Sequence, residues 1–291
     1  GISPPETPMT WEEFIPLAQR LTVRDESGRI KHFGFLFSFH MWNNFVMQWG
    51  GRMYSEDGTR CVVDSPEAIR GIQFMHDLVY KYRVTPSPVE EAAMATQGGW
   101  GSGNITWFGA GKGAMALGGR WWLCILRDYE GLRLGAFECP HGPNRVFLGY
   151  GKSVLINKNS PRREEALNFL VYMSQKPYND LINHQADALA PVKKFCYTDD
   201  YLHDPDFSEE DFNDVWRDIM EYGVPEQISP FVNGNVASRI MTNQLDLVRN
   251  NQKPASEAMK TAAELINKEI EKAIERDPSL KEKYEALRRT N

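Results

Sequence analysis

The sequence has no uncharged apolar run of the roughly 18 residues that a membrane helix needs. Its best candidate, Met115 to Leu126, is broken by Arg120, so no segment is expected to cross a bilayer. Gly1-Ile2-Ser3-Pro4-Pro5 lacks the basic and apolar regions of a secretory leader, and reads as a processed or engineered start. Basic stripes are missing too: 33 Lys and Arg are scattered among 39 Asp and Glu, for a net charge of −6, which argues against a nucleic-acid partner. The four cysteines Cys61, Cys124, Cys139 and Cys196 are far apart and form no C-x-x-C pair, which excludes a zinc finger. Buried thiols and one or two bridges both stay open.

Catalytic signatures are equally scarce. Gly111-Lys112 resembles the end of a phosphate-binding loop, but Thr106 stands where the first glycine belongs and Gly113 where Ser or Thr is required. Trp100-Gly101-Ser102-Gly103 lacks the leading glycine of a nucleophile elbow. No two of the six histidines fall at i, i+4 on one helix, so no zinc-hydrolase motif exists. The expectation is a binding protein, not an enzyme, with no cofactor and no metal.

What the chain does have is size and aromatic residues. At 291 residues and 42% hydrophobic it suggests two lobes or one large domain. Its most informative stretch is Phe108-Gly109-Ala110-Gly111-Lys112-Gly113-Ala114-Met115-Ala116-Leu117-Gly118-Gly119-Arg120-Trp121-Trp122. A glycine-spaced turn and a short apolar strand lead to a Gly-Gly bend that delivers two indoles. Indole offers a broad apolar face and one N–H donor. One ring is expected in the core and the other facing a cleft.

Along the chain, Thr10-Trp11-Glu12-Glu13 is a capping box, followed by the helical stripe Phe14, Leu17, Ala18 and Leu21. Phe33-Gly34-Phe35-Leu36-Phe37 reads as a buried strand running into Ser38-Phe39-His40-Met41-Trp42-Asn43-Asn44, which opens a helix that ends at Trp49-Gly50-Gly51. Open α/β sheets bind ligands where strands end and helices begin, and Trp42 and Asn43 stand at such a place. Ser65-Pro66-Glu67 starts a helix through Ile69, Ile72, Met75, Leu78 and Val79, expected to cover a sheet. The irregular stretch from Pro86 to Gly103, with Trp100 near its end, is too long for a passive connection. Leu132 to Phe137 and Val146 to Asn157 read as strands, Ser160-Pro161 as the start of a helix through Ala166, Leu167, Phe169 and Leu170, and the chain from Ser208 onward as almost entirely helical.

A family resemblance follows from an ordered series of motifs. Pro5-Glu6-Thr7, Thr10-Trp11-Glu12-Glu13-Phe14, Gly50-Gly51, Asp64-Ser65-Pro66-Glu67-Ala68-Ile69 and Phe108 to Met115 come first. Gly119-Arg120-Trp121, Gly149-Tyr150-Gly151, Ile156-Asn157-Lys158-Asn159-Ser160, Glu164-Glu165-Ala166 and Leu189-Ala190-Pro191-Val192-Lys193 continue it. Together they resemble the extracellular solute-binding proteins of ABC importers, in the subgroup that includes maltose-binding protein.

The resemblance implies an α/β, type II periplasmic-binding-protein-like fold: two lobes joined by crossing strands, a solute in the cleft and hinge closure. It also implies that most of the N-terminal lobe is absent from this chain. On that reading lobe two is 5–148 and again 196–291, and 149–195 is a crossing strand with a remnant of lobe one. Trp121 falls where members stack an aromatic on a sugar ring, and Trp42 lies near a second such position. Gly149 and Tyr150 lie where a crossing strand meets the ligand, and Phe231 and Asn233 in the late loop at the cleft floor. Asn43, Asn233 and Arg120 suit hydroxyl recognition, and Trp100 is counted with the ligand-binding residues. Plain structural alternatives stand beside these: Trp42 facing inward on its helix, Arg120 in an ion pair, Phe231 in the core.

The implied solute is a carbohydrate, the implied partners are permease subunits of the transporter, and the location is periplasmic or extracellular, compatible with a preceding lipoprotein anchor. A non-sugar solute (metal, polyamine or anion) and a carbohydrate-active enzyme are the alternatives. Self-association is expected of a truncated chain whose apolar helix face at Ala166, Leu167, Phe169 and Leu170 has lost its sheet.

Overall fold

The structure, a computed structural model, describes residues 5, 7–94, 103–151 and 153–290. Helix α1 (Trp11–Leu21) begins with the capping box foreseen, the Thr10 side chain accepting from the Glu13 amide while the Glu13 carboxylate accepts from the Thr10 amide. Its stripe of Trp11, Phe14, Ile15 and Ala18 is buried. Strands β1 (Val23–Arg24) and β2 (Ile30–Leu36) pair antiparallel. Gly34 in β2 lets α1 lie directly on the sheet, since a β-carbon there would sit 1.8 Å from the Ala18 carbonyl oxygen.

Helix α2 (Trp42–Gln48) ends in a Schellman motif. The Gly50 amide donates to Met47 O and the Gly51 amide to Val46 O, both at 2.9 Å, with Gly50 at φ 84°. Helix α3 (Pro66–Tyr80) starts on Ser65 with Pro66 at its first position, as the sequence predicts. It packs chiefly against α2 and α12 instead of a sheet face. The stretch expected to be irregular contains α4 (Pro88–Met94), and its Trp100 lies outside the described residues. Then come α5 (Asn104–Gly109), β3 (Gly113–Ala116), α6 (Leu123–Leu126) and β4 (Phe147–Gly149). Strand β3 pairs parallel with β2 in the register Phe33↔Gly113, Phe35↔Met115, Leu36↔Ala116, completing a sheet of order β1-β2-β3.

Helices α7 (Arg163–Met173), α8 (Lys176–Gln185), α9 (Asp199–Leu202) and α10 (Asp214–Asp218) precede β5 (Gly223–Pro225), which pairs parallel with β4. Helices α11 (Gly234–Arg249), α12 (Ala255–Arg276) and α13 (Pro278–Thr290) close the chain. The main core joins Trp11, Phe14, Phe35, Phe37 and Phe45 to Ile72, Met75, Met241, Met259 and Ile266. A smaller core gathers Leu123, Ala186 and Phe212. Residues 196–213 belong with this smaller body: α9 packs on α8, and the Tyr201 hydroxyl donates to Asn213 O at 2.8 Å.

Four further expectations need correction. No strand forms over Leu132–Phe137, where Leu134 and Ala136 pack on the Leu123 core without a neighbouring strand to pair with. The strand expected over Val146–Asn157 is only Phe147–Gly149, because β5 supplies just three partners; beyond it Val154 and Leu155 are exposed. Helix α7 starts at Arg163, not at Ser160-Pro161, and the run after Ser208 is interrupted by β5. The four cysteines are free thiols.

Candidate ligand-binding site

Because β2 and β3 run parallel, whatever follows each strand leaves the sheet at the same edge. The ladder continues one step past β3, the Leu117 amide donating to Leu36 O at 2.9 Å. Beyond β2 the chain makes a 3₁₀ turn, Phe39–Met41, capped by Ser38, whose Oγ accepts from the His40 amide at 3.3 Å. Trp42 then opens α2. Beyond β3, Gly118-Gly119 leads into the 3₁₀ turn Arg120–Trp122 and α6. A third arm joins through α2: Asn44 Oδ1 accepts from the Leu148 amide at 3.0 Å, which brings Gly149 and Tyr150 up to the helix. The C-terminal edge of a parallel pair is where open α/β sheets hold ligands.

The glycine pair explains how two adjacent tryptophans are accommodated. A β-carbon on Gly118 would lie 2.5 Å from Trp122 Cε2, and one on Gly119 would lie 2.9 Å from Trp121 Cδ1. Each indole therefore folds back over its own glycine, and the two rings meet edge to face at 78° with centroids 6.3 Å apart. Trp122 is half-buried, with its ring 6.4 Å from that of Phe108, while Trp121 is 37% exposed. Neither ring is fully buried, so the expectation of one indole in the core is not met: Trp122 is the more covered of the two and Trp121 the more exposed.

Trp42 is half-buried and packs on the main core. Asn43 is 3% exposed, and neither its amide nitrogen nor its oxygen has a hydrogen-bond partner. An unpaired buried amide costs about 1–3 kcal/mol, so this residue retains donor and acceptor capacity beside Trp42. Tyr150 is 64% exposed.

The structure places other predicted residues elsewhere in the chemistry. Arg120 is buried and its guanidinium is spent on the protein: Nε donates to Asn213 Oδ1 at 3.0 Å, and the terminal nitrogens donate to Ala188 O and Asn183 O, both at 2.9 Å. Burial pulls its pKa down, and the bonds are to neutral oxygens, not the ion pair offered as its structural alternative. Phe231 is fully buried, edge to face with Tyr284 at 5.2 Å, so it is core. Asn233 caps α11, its Oδ1 accepting from the Asn235 amide at 2.9 Å.

Sequence reasoning missed Arg127 and Cys124, although they lie at i+7 and i+4 from Arg120, one face of a helical turn. Arg127 grips Glu210 with two bonds of 2.9 and 2.7 Å, Asp204 at 3.1 Å and His184 O at 2.9 Å, over the Phe207 ring at 3.8 Å. Burial alone would lower the Arg127 pKa, but Glu210 and Asp204 outweigh it and the net shift is upward. Cys124 Sγ donates to Gln185 O at 3.0 Å. Asn44 was likewise missed as the link to β4.

A groove of about 530 Å³ beside this face is lined by Cys124, Arg127, Asp128, His184, Gln185, Asp187 and Phe207. Near it His184, Asp204 and Asp206 place ligand atoms within 4.8 Å of one another, but the Asp204 carboxylate already neutralises Arg127, which works against a cation. Among the described residues no helix is long and apolar enough to cross a membrane.

Comparison with known proteins identifies the family. The family model for bacterial extracellular solute-binding proteins matches residues 1–180. An ABC substrate-binding protein from Listeria monocytogenes in complex with cycloalternan has 21% identity and TM-score 0.75, over 92% of this chain and 65% of its own. The maltose/maltodextrin-binding domain MalE from Bdellovibrio bacteriovorus bound to maltotriose has 20% identity and TM-score 0.68, over 95% and 68%. A solute-binding protein from Thermotoga lettingae bound with α-D-tagatose has 19% identity and TM-score 0.70, over 91% and 65%. This chain thus shares the type II periplasmic-binding-protein-like fold and spans about two thirds of the length of these structures. It belongs to the bacterial extracellular solute-binding protein family.

Proposed function

We propose that this chain carries much of the ligand-holding part of the solute-binding component of an ABC importer, and that its solute is a carbohydrate. The observation that carries the reading is the shared edge of β2 and β3, where Trp121 exposes an indole and Asn43 retains an unpaired amide. A pyranose has an apolar C–H face that packs on an indole and hydroxyls that need paired donors and acceptors. Trp121 is the stacking platform in this reading, with Trp42, Asn43, Gly149 and Tyr150 around it. Arg120, Phe231 and Asn233 are support and not contacts. The structures named above are complexes with cycloalternan, maltotriose and tagatose, which favours a sugar over a metal, polyamine or anion. The same comparison favours binding over catalysis.

Strands β4 and β5, paired in parallel, are proposed as the crossing strands about which the lobes close. That choice puts 150–222 on one side of the hinge and moves the later boundary from 195 to 222. Delivery to permease subunits outside the cytoplasm follows from the family role. Calorimetry on the full-length encoded protein is the test, with maltotriose, tagatose, zinc and spermidine as titrants. Heat from a sugar together with a change in Trp fluorescence supports the reading; heat from zinc or spermidine alone overturns it.

A further inference from the structure

Residues 118–127 leave the sheet after the last ladder bond, Leu117 to Leu36, so something other than β3 must fix where Trp121 sits. On one side Trp122 meets Phe108. On the other, the face made by Arg120, Cys124 and Arg127 is bolted to 183–213. Arg120 reaches Asn183, Ala188 and Asn213; Cys124 reaches Gln185; Arg127 reaches His184, Asp204 and Glu210. The receiving groups are themselves tied down. Asn183 Nδ2 donates to Phe195 O at 2.9 Å, Asn213 Nδ2 to Glu210 O at 3.2 Å, and the Tyr201 hydroxyl to Asn213 O at 2.8 Å. Leu123, next to Cys124 on this segment, is buried with Ala186 and Phe212.

Trp121 lies in the same 3₁₀ turn as Arg120, next to it in sequence, and its ring rests on Gly119. A guanidinium that makes three directed bonds fixes the direction of its own backbone far more tightly than an apolar contact of equal area. We propose that Arg120, backed by Arg127, is a positioning residue for Trp121, so that the segment 183–213 sets the angle of the platform from behind. The proposal rests on the reading of Trp121 as the stacking surface. It also makes the segment 183–213, distant in sequence from Trp121, a determinant of affinity without ligand contact.

The test replaces Asn213, the acceptor for Arg120 Nε, in the full-length protein labelled with 5-fluorotryptophan. The fluorine resonance lost in Trp121→Phe identifies the ring. In Asn213→Leu that resonance is expected to move and maltotriose affinity to fall about three- to tenfold. Asn213→Asp, which keeps an acceptor oxygen, should restore both. A Trp121 resonance unmoved in Asn213→Leu, with only the thermal midpoint lowered, would show a plain structural role and overturn the proposal. If Asn213→Leu does not fold, Arg120→Lys keeps the charge but loses the fork, and the same two readouts apply. If the wild-type protein ignores both maltotriose and tagatose, the carbohydrate reading fails on its own, and the resonance comparison still decides whether the clamp positions the ring.

Discussion

Asn44 Oδ1 and the amide of Leu148 are joined at 3.0 Å, so the helix that begins with Trp42 and the strand that ends with Gly149 are tied across more than a hundred residues of sequence. One turn further, Gln48 accepts from Trp11 Nε1 at 2.7 Å and donates to Pro140 O at 3.1 Å. The two amides, four residues apart on one face of α2, thus hold the strap that leads into β4.

Replacing Asn44 by Leu should strand the Leu148 amide and lower stability by about 1–3 kcal/mol. Urea titration measures the loss, and hydrogen exchange at Leu148 should quicken. Unchanged exchange at that amide would mean that the bond does not protect it in solution.

Trp121→Ala should weaken sugar binding by about 1–3 kcal/mol, by analogy with other stacked rings. Its thermal midpoint should fall less than that of a core truncation, because the ring is 37% exposed. Phe231→Ala is the contrast. That ring is fully buried, and its loss should cost about 3–5 kcal/mol of stability with little direct effect on affinity. A reversal of these two patterns would exchange their roles.

Burial pushes the Cys61 thiol from an ordinary 9.0 to about 11. Between those values the unfolded chain has lost this proton and the folded chain has kept it, so unfolding releases a proton and stability falls as pH rises from 9 to 11. Below 9 the thiol adds no slope. Denaturant midpoints across this range, compared with Cys61→Ala, check the sign; identical slopes in both proteins would contradict it.

Helix α7 exposes Leu167, Phe169, Val171 and Tyr172, and Val154 and Leu155 are exposed as well. The 291-residue chain by itself is expected to sediment as more than a monomer at high concentration. Leu167→Asp with Phe169→Asp should return it to monomer. A strict monomer at every concentration would remove self-association from the account.

The local signals that proved readable were those in which side chain and backbone are neighbours in sequence. Thr10 with Glu13, Ser65 with Pro66, and Gly50 with Gly51 each specify a helix end without outside help, and each end forms where it was expected. Strand limits were not readable, because they depend on a partner. Leu132–Phe137 has the composition of a strand and no neighbour to pair with, and Val146–Asn157 is cut to the length that β5 supplies. The three bonds of Arg120 were not legible because its acceptors, Asn183, Ala188 and Asn213, lie 63 to 93 residues away. The spacing of Arg120, Cys124 and Arg127 was present in the sequence as a hint of a shared face.

Gly119 has φ −96° and ψ 169°, ordinary extended values open to any residue. What it and Gly118 provide is emptiness, two sockets into which indoles are seated. An occupant of a socket can be traded. Gly118→Ala should be rejected while Trp122 is present and tolerated beside Trp122→Leu, a volume exchange that would show as a favourable coupling in a double-mutant cycle. Redesign of this edge for a different solute is therefore best begun by changing a ring and its glycine together, since either change alone meets a filled space or leaves a hole.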